Sequence, residues 1–98
     1  MCKVFEKQSS AINKITNSQE FEKVIIKLKK KDDSLFDQLT VQMEKAVRIP
    51  NIGKPLRYTL KNRRRLHVGS FVLVYEFFNG ELKFLDFDHH DKIYKKYK

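Results

Sequence analysis

Cysteine is almost absent from this 98-residue chain, which has only Cys2. A single cysteine cannot form an internal disulfide, and it supplies too few thiolates for a cysteine-rich zinc site. The chain also lacks an apolar run near the roughly 20 residues that a membrane-spanning helix needs. Its N-terminus lacks the apolar segment of a signal peptide. These absences argue against a disulfide scaffold and a helical membrane protein, and they make the cytoplasm the expected location.

Acidic residues are outnumbered, since 12 Asp and Glu stand against 21 Lys and Arg for a formal net charge of +9. This excess favours a polyanion or an acidic protein as partner. The alternative is a solvated, lysine-rich surface like those of many heat-adapted proteins. The hydrophobic content of 41% is typical of a globular chain. With no repeat or linker, we expect one domain over residues 1–98, with residues 1–10 as an N-terminal extension.

The first half of the chain carries the spacing of two amphipathic helices. Asn17 and Glu20 form a capping-box pattern that predicts a helix start at Asn17. Asp32 or Asp33 is suited to cap the second helix, and the short connection predicts an antiparallel helical hairpin. The predicted buried positions are Phe21, Val24, Ile25 and Leu28 in the first helix, and Leu35, Phe36, Leu39, Met43, Ala46 and Val47 in the second.

Two turn signals, Gly69-Ser70 and Asn79-Gly80, divide the second half of the chain into strands joined by hairpins. Two-residue loops fix the register of both hairpins, and side chains alternate between the faces of a sheet. One face should pack on the helices, and it consists of Leu66, Val68, Phe71, Leu73, Tyr75, Phe77, Leu82 and Phe84. The other should be at least partly exposed, and it consists of Arg63, Arg65, His67, Val72, Val74, Glu76, Lys83, Leu85, Phe87 and His89.

The run Arg63-Arg64-Arg65 is the sharpest charge cluster in the sequence. On a strand, Arg63 and Arg65 project to one side and Arg64 to the other. Guanidinium groups bind phosphate through paired hydrogen bonds and remain charged at any working pH. An ordinary alternative for Arg63 is an ion pair with Glu76, which the register places opposite it. The residues expected to contact a polyanion such as RNA are Arg63, Arg64, Arg65, Lys83, Lys92, Lys95 and Lys96.

The 3 histidines of the chain are candidates for proton exchange, because imidazole titrates near neutral pH. His67 shares a face with Arg65, whereas His89 and His90 follow at the far end of the last strand. The alternative for each is an ordinary surface histidine. The stretch 88–91 could also suggest a metal site. Adjacent residues on a strand point apart, however, so neither a metal site nor a cofactor is expected.

Tyrosines mark the basic tail from Asp91 to Lys98. Tyr94 and Tyr97 could stack on a base or exchange a proton, or one of them could pack on the edge of the domain. Tyr58 and Tyr75 are expected to be structural.

Four segments follow one another along the chain, namely Gly53-Lys-Pro-Leu-Arg57, Arg65-Leu-His67-Val-Gly69, Val74-Tyr75-Glu76 and Asp88-His-His-Asp-Lys-Ile-Tyr94. In this order they resemble the RelE/ParE toxins. The family typically has a G-K-P-L run, an R-x-R-V-G turn, a V-I-Y-E strand and an H-R-x-x-x-Y-like end. The resemblance covers about residues 12–96. It implies an α+β fold in which an N-terminal helical hairpin packs on a twisted antiparallel sheet.

The resemblance also implies a toxin of a toxin–antitoxin system that enters the ribosomal A site and cuts messenger RNA without a metal. The ribose 2′-OH attacks the adjacent phosphate while basic side chains stabilise the developing charge. By position, Arg65 and His67 match two basic sheet residues, and Tyr94 matches the C-terminal catalytic or base-stacking tyrosine. His90 stands at an arginine position, and His89 matches the histidine before it. The implied partners are messenger RNA, the ribosome and a cognate acidic antitoxin that forms a hetero-oligomer with the toxin.

Val72 departs from the family pattern, since most members carry an arginine at this position. Arg63, Arg64 or a histidine could compensate for the lost phosphate ligand. The alternatives are a catalytically degenerate toxin and a non-enzymatic inhibitor of DNA gyrase of the ParE type. If the missing arginine limits activity, Val72→Arg should raise it. A generic RNA-binding domain is disfavoured because the aromatic motifs of single-strand readers are absent.

Overall fold

A five-stranded sheet carries two long helices on one face and a short helix on the other. The computed structural model describes residues 12–55 and 62–96. The elements are β1 (Lys14–Asn17), α1 (Gln19–Lys31), α2 (Asp33–Arg48), β2 (Lys54–Pro55), β3 (Arg63–Val68), β4 (Phe71–Phe78), β5 (Glu81–His89) and α3 (His90–Lys96). The α+β architecture with an N-terminal helical hairpin is therefore confirmed.

The strand order is β1-β5-β4-β3-β2. Strands β3, β4 and β5 pair antiparallel, as expected from the two hairpin turns, and β2 also pairs antiparallel with β3. The edge strand β1 instead runs parallel to β5. The helical hairpin and three strands separate β1 from β5 in the chain, which gives ample length for the crossover that a parallel pair requires.

Both long helices begin at side-chain caps. Ser18, rather than the predicted Asn17, caps α1, because its Oγ accepts a hydrogen bond from the Phe21 amide at 3.0 Å. The same hydroxyl donates to the Leu85 carbonyl at 2.8 Å and so joins the helix start to β5. Asp32 caps α2 by accepting from the Leu35 amide at 3.1 Å. The connection between the helices is therefore a single residue that also serves as the cap.

The predicted helical stripes, apart from Phe36, and the predicted inner face of the sheet form the main core. Its fully buried members include Phe21 and Leu39 from the helices and Leu73 and Phe84 from the sheet. The eight positions predicted to face the helices all belong to this core or pack against it, namely Leu66, Val68, Phe71, Leu73, Tyr75, Phe77, Leu82 and Phe84.

The two hairpins have the predicted turns. Asn79 and Gly80 have φ values of 52° and 79°, the positive values that a type I′ turn requires at both loop positions. Gly69 has a φ of 61°, as expected for glycine at the first loop position of a type II′ turn. The register between β3 and β4 is the predicted one, with Arg65 opposite Val74.

A β-bulge changes the register in the second half of β5. The predicted pairs hold from Phe78–Glu81 to Tyr75–Phe84, but Val74 then pairs with Asp86 instead of Leu85. The inserted residue exchanges the sides of all residues that follow it. The prediction that Phe87 and His89 lie on the basic face is therefore wrong. Phe87 is 3% exposed in the main core, and His89 pairs with Phe71.

Helix α3 covers part of the second face of the sheet, while His67 remains exposed and Arg63 partly exposed, so the expectation of a partly exposed face is confirmed. Val72 and Val74 are fully buried against Ile93 of α3, and Leu85 packs against this second cluster. Apolar burial on both faces explains why β4 is an almost continuous apolar run. None of the helices within residues 12–55 and 62–96 is long and apolar enough to cross a membrane.

Tyr75 links the sheet to the loop that follows α2, as its predicted structural role requires. Its hydroxyl donates to the Pro50 carbonyl at 2.8 Å and accepts from the Gly53 amide at 3.0 Å. Burial raises the pKa of the phenol above its ordinary value of 10.0. A side chain at Gly53 would place its Cβ only 2.7 Å from the Arg65 carbonyl oxygen, so this close approach requires glycine. Tyr58, Tyr97 and the predicted extension at residues 1–10 lie outside the described residues.

Tyr75→Phe should lower the free energy of unfolding by about 1–3 kcal/mol, because the buried Gly53 amide and Pro50 carbonyl would lose their partner. Urea unfolding followed by circular dichroism measures this change. The matched control is Tyr94→Phe, which removes the hydroxyl of a side chain that is 40% exposed and should change stability little. Equal unfolding midpoints for the wild type and Tyr75→Phe would contradict the structural role of Tyr75.

Candidate nucleic-acid interface

The C-terminal helix brings a tyrosine over two basic residues of β3. The guanidinium carbon of Arg65 lies 5.7 Å from the centre of the Tyr94 ring. The hydroxyl of Tyr94 lies 3.4 Å from Nε2 of His67. His90, one helical turn before Tyr94, has its ring centre 6.3 Å from that of the tyrosine. We call these four residues, Arg65, His67, His90 and Tyr94, the β3–α3 site.

The β3–α3 site is open to solvent. Tyr94 is 40% exposed, the His90 side chain is 43% exposed, and His67 is also exposed. Arg65 is half-buried, so its guanidinium is held in place while a ligand can still approach. The site therefore combines a permanent positive charge, two imidazoles able to exchange protons, and an aromatic ring able to stack on a base.

Apolar packing and one backbone hydrogen bond hold α3 against the sheet. Ile93 is fully buried against Val72 and Val74, on the side of the helix opposite to the solvent. The His90 amide donates to the Ser70 carbonyl at 3.0 Å, which joins the helix start to the β3–β4 turn. A helix of seven residues is marginal alone, so this docking stabilises it and positions Tyr94.

A buried carboxylate fastens the other end of α3. The Lys96 amine lies 2.6 Å from Asp86 and 3.1 Å from Glu20, and the Asp86 side chain is only 3% exposed. The hydrogen bond to Asp86 raises the pKa of Lys96 above its ordinary value, so the amine remains charged. Lys96 was expected to contact RNA, and the structure shows its amine in this ion pair.

Lys96→Met should destabilise the protein, because it leaves the Asp86 carboxylate buried without its cation. Breaking a fully buried pair costs about 3–5 kcal/mol. The Lys96 side chain is 43% exposed, so water replaces part of the contact and we expect about 1–3 kcal/mol. Urea unfolding is the measurement, with Lys95→Met as the control because Lys95 is exposed on the same helix. Equal losses in the two variants would refute the fastening role.

The remaining predicted RNA contacts occupy different environments. The Arg63 Nε lies 3.9 Å from Glu76, which is the ion pair considered as its alternative. Arg64 donates to the Gly53 carbonyl at 2.7 Å and supports the loop before β2, so it points away from the β3–α3 site. Lys83 is partly buried opposite Glu76. Lys92 and Lys95 are exposed on α3 and remain candidates for phosphate contacts.

His89 lies beside the β3–α3 site rather than in it. The bulge in β5 places it opposite Phe71, and its ring meets the edge of that phenylalanine at a centroid distance of 5.8 Å. Its ring centre is 4.4 Å from that of His90. Four of the five predicted catalytic residues are therefore brought together, and His89 contacts one of them.

Three possible metal ligands converge where β5 meets α3. His89 ends the strand and His90 begins the helix, so the chain turns between them. One ligand atom from each of His89, His90 and Asp91 lies within 4.8 Å of the others. The reason for expecting no metal site, that neighbours on a strand point apart, is therefore wrong at this position.

Sequence reasoning missed Ile93 and Asp86, which position the site without belonging to it. The spacing of His90, Ile93 and Tyr94 fits a short helix with one apolar side, and this signal was present in the tail. The burial of Asp86 had no such signal, because it follows from the bulge.

Comparison of the sequence with known proteins identifies its relatives. The family model described as the ParE toxin of the type II toxin–antitoxin system parDE matches residues 15–94. A Methanocaldococcus jannaschii protein named "Putative toxin RelE4" is 40% identical over 80 residues, which cover 79% of this chain and 85% of that protein.

Solved structures share the fold. The YoeB/ParE toxin from Agrobacterium tumefaciens superposes with a TM-score of 0.69 at 14% identity, covering 79% of this chain and 98% of that one. The E. coli DinJ–YafQ toxin–antitoxin complex contains a chain with a TM-score of 0.65 at 22% identity, covering 82% of this chain and 94% of that one. The matched family model and the archaeal relative both span most of this sequence, and the chain therefore belongs to the RelE/ParE family of toxins of type II toxin–antitoxin systems.

Proposed function

We propose that this toxin is an endoribonuclease that cuts messenger RNA at the ribosome and thereby stops translation. The convergence of Arg65, His67 and Tyr94 is the observation that carries the proposal. Such an activity requires access to ribosomes, so the proposed location is the cytoplasm.

The proposed substrate contact begins at Arg65. Its guanidinium can donate two parallel hydrogen bonds to the non-bridging oxygens of one phosphate. The Tyr94 ring beside it offers a face on which a neighbouring base can stack, and such stacking contributes about 1–3 kcal/mol per base. Together they would hold a nucleotide with its phosphate near the imidazoles.

The proposed reaction uses a nucleophile from the RNA itself. The ribose 2′-oxygen attacks the adjacent phosphorus as it loses its proton, and the bond from phosphorus to the 5′-oxygen breaks. The leaving 5′-oxygen gains a proton, so the products are a 2′,3′-cyclic phosphate and a 5′-hydroxyl end. His67 and His90 can exchange these protons, and Arg65 stabilises the negative charge that builds on the phosphate oxygens.

Val72 is buried and uncharged where most family members carry an arginine, so Arg65 supplies the principal positive charge of the proposed site. Arg63 lies within ion-pair distance of Glu76, and Arg64 is turned towards Gly53, so neither replaces the missing family arginine well. The imidazoles of His67 and His90 are better placed, because both lie against Tyr94. We therefore assign the compensation to these histidines.

The proposed partner in the absence of RNA is a cognate acidic antitoxin. The net charge of +9 favours an acidic protein, and the DinJ–YafQ structure is a toxin–antitoxin complex of the same fold. Exposed apolar side chains on the helical hairpin, such as Ile26 at 59% and Val41 at 51%, would suit an amphipathic partner segment. Association should be fastest at low salt.

A second candidate function is inhibition of DNA gyrase without RNA cleavage. The burial of Val72 under α3, in place of an exposed arginine, favours it. Single-turnover incubation of ribosome-bound message with the purified toxin, followed by mapping of RNA ends, separates the two functions. Cleavage within the message supports the ribonuclease. Intact message together with inhibited DNA supercoiling would replace it with the gyrase inhibitor.

A further inference from the structure

We propose that His89, His90 and Asp91 form a binding site for a divalent transition-metal ion, with Zn²⁺ as the ion best suited to it. Two imidazoles and one carboxylate are ligands that zinc commonly uses, and a solvent water can complete the coordination. This site shares His90 with the β3–α3 site, but binding of the ion does not depend on the proposed RNA cleavage.

The ligand atoms are already close to the required arrangement. Nδ1 of His90 lies 3.0 Å from Oδ1 of Asp91, and Nδ1 of His89 lies 3.7 Å from Oδ2. A tetrahedral ion with bonds of about 2.0–2.1 Å needs ligand atoms about 3.3 Å apart. The two distances lie on either side of this value, although they involve different oxygens of Asp91, and one ligand atom from each residue lies within 4.8 Å of the others. Side-chain rotations would bring the two imidazole nitrogens and one carboxylate oxygen around a single ion.

The surrounding structure orients these side chains. The His90 amide donates to Ser70, which fixes the backbone at the start of α3. The His89 ring rests against the edge of Phe71. The Asp91 amide donates to Nδ1 of His89 at 3.3 Å, so the lone pair of this nitrogen faces Asp91, and an ion bound at Nδ1 would replace this hydrogen bond. The three ligands are therefore partly pre-organised, which lowers the entropic cost of binding an ion.

The site is accessible from solvent. The side chains of His89, His90 and Asp91 are 40%, 43% and 72% exposed. An ion can enter without opening the fold, and it would join the last residue of β5 to the first turn of α3. Because the ion binds the folded junction, it should also raise the temperature of unfolding.

A metal ion bound at this site would also affect the β3–α3 site, because it would coordinate His90, which lies against Tyr94. An ion on His90 would remove this imidazole from proton exchange. Zn²⁺ should then slow messenger RNA cleavage, and this consequence alone rests on the proposed function.

Isothermal titration calorimetry with ZnCl₂ tests the site directly. The full chain should carry no affinity tag, and Cys2→Ser should be the background so that the single thiol supplies no competing ligand. We expect about one ion per chain. His89→Gln, His90→Gln and Asp91→Asn should each weaken binding at least tenfold, because even residues that only support a ligand contribute about ten- to hundredfold.

His67→Gln is the matched control, since it removes the remaining histidine of the chain and lies outside the three ligands. It should leave the affinity unchanged, and circular dichroism should show that all four variants are folded. The proposal is overturned by an absence of binding at millimolar Zn²⁺, by binding that survives all three ligand variants, or by equal loss in His67→Gln. Calorimetry contains no RNA, so its result stands apart from the fate of the proposed ribonuclease.

Discussion

Arg65→Ala should reduce cleavage of ribosome-bound message by about one to three orders of magnitude, the scale of losing one pre-organised contact to the transition state. The loss should lie mainly in the single-turnover rate at saturating toxin, because Arg65 is proposed to stabilise charge that develops during the reaction. The substitution should also release Tyr94 from its cation–π contact, which contributes about 0.5–1 kcal/mol at exposed sites.

Arg48→Ala is the matched control for Arg65→Ala. It removes the same side chain and the same charge from the exposed end of α2, where Arg48 pairs with Glu44. A general effect of net charge on RNA binding would slow both variants equally. A wild-type rate in Arg65→Ala would remove Arg65 from the proposed site.

Val72→Arg should destabilise the protein by about 2–5 kcal/mol and lower activity, the reverse of what the family pattern alone predicts. Val72 is fully buried between the sheet and Ile93 of α3. An arginine there must either bury its charge or displace α3. Displacement would carry Tyr94 away from Arg65, so an added phosphate ligand would come with the loss of the stacking ring.

The control for Val72→Arg is Val41→Arg, the same substitution at a valine that is 51% exposed on α2. It should change the free energy of unfolding by no more than about 0.5 kcal/mol. Urea unfolding and single-turnover cleavage should be measured on both. A Val72→Arg protein that is as stable as the wild type and more active would contradict both expectations.

The fold was predictable wherever local signals act alone. The turn at Asn79-Gly80 fixes the register of its hairpin through positive φ values that few residues adopt, so Tyr75 and Phe84 were placed correctly in the core. The helical stripes followed from spacing. The helix cap was misplaced by one residue because Asn17 and Ser18 are both good caps, and tertiary contact with Leu85 selects the serine.

The candidate site was less predictable because it depends on tertiary packing. Arg65 and His67 share a strand, and alternation alone placed them together. The bulge at Leu85 has no glycine or other local signature, so the sequence did not predict that Phe87 and His89 lie on the opposite face of the sheet. The docking of α3 depends on contacts of Ile93 with Val72 and Val74. The sequence of a seven-residue helix does not show which strand residues it will contact.

The proposed attack by the ribose 2′-oxygen is tested most directly by removing that oxygen from the RNA. After the cut has been mapped, a message with a single 2′-deoxy ribose immediately before the scissile phosphate is placed on the ribosome with the toxin. We expect the unmodified message to yield a 2′,3′-cyclic phosphate and a 5′-hydroxyl end, and the deoxy message to remain intact at that position. Cleavage of the deoxy message at the same rate, or a 5′-phosphate on the product, would contradict the account.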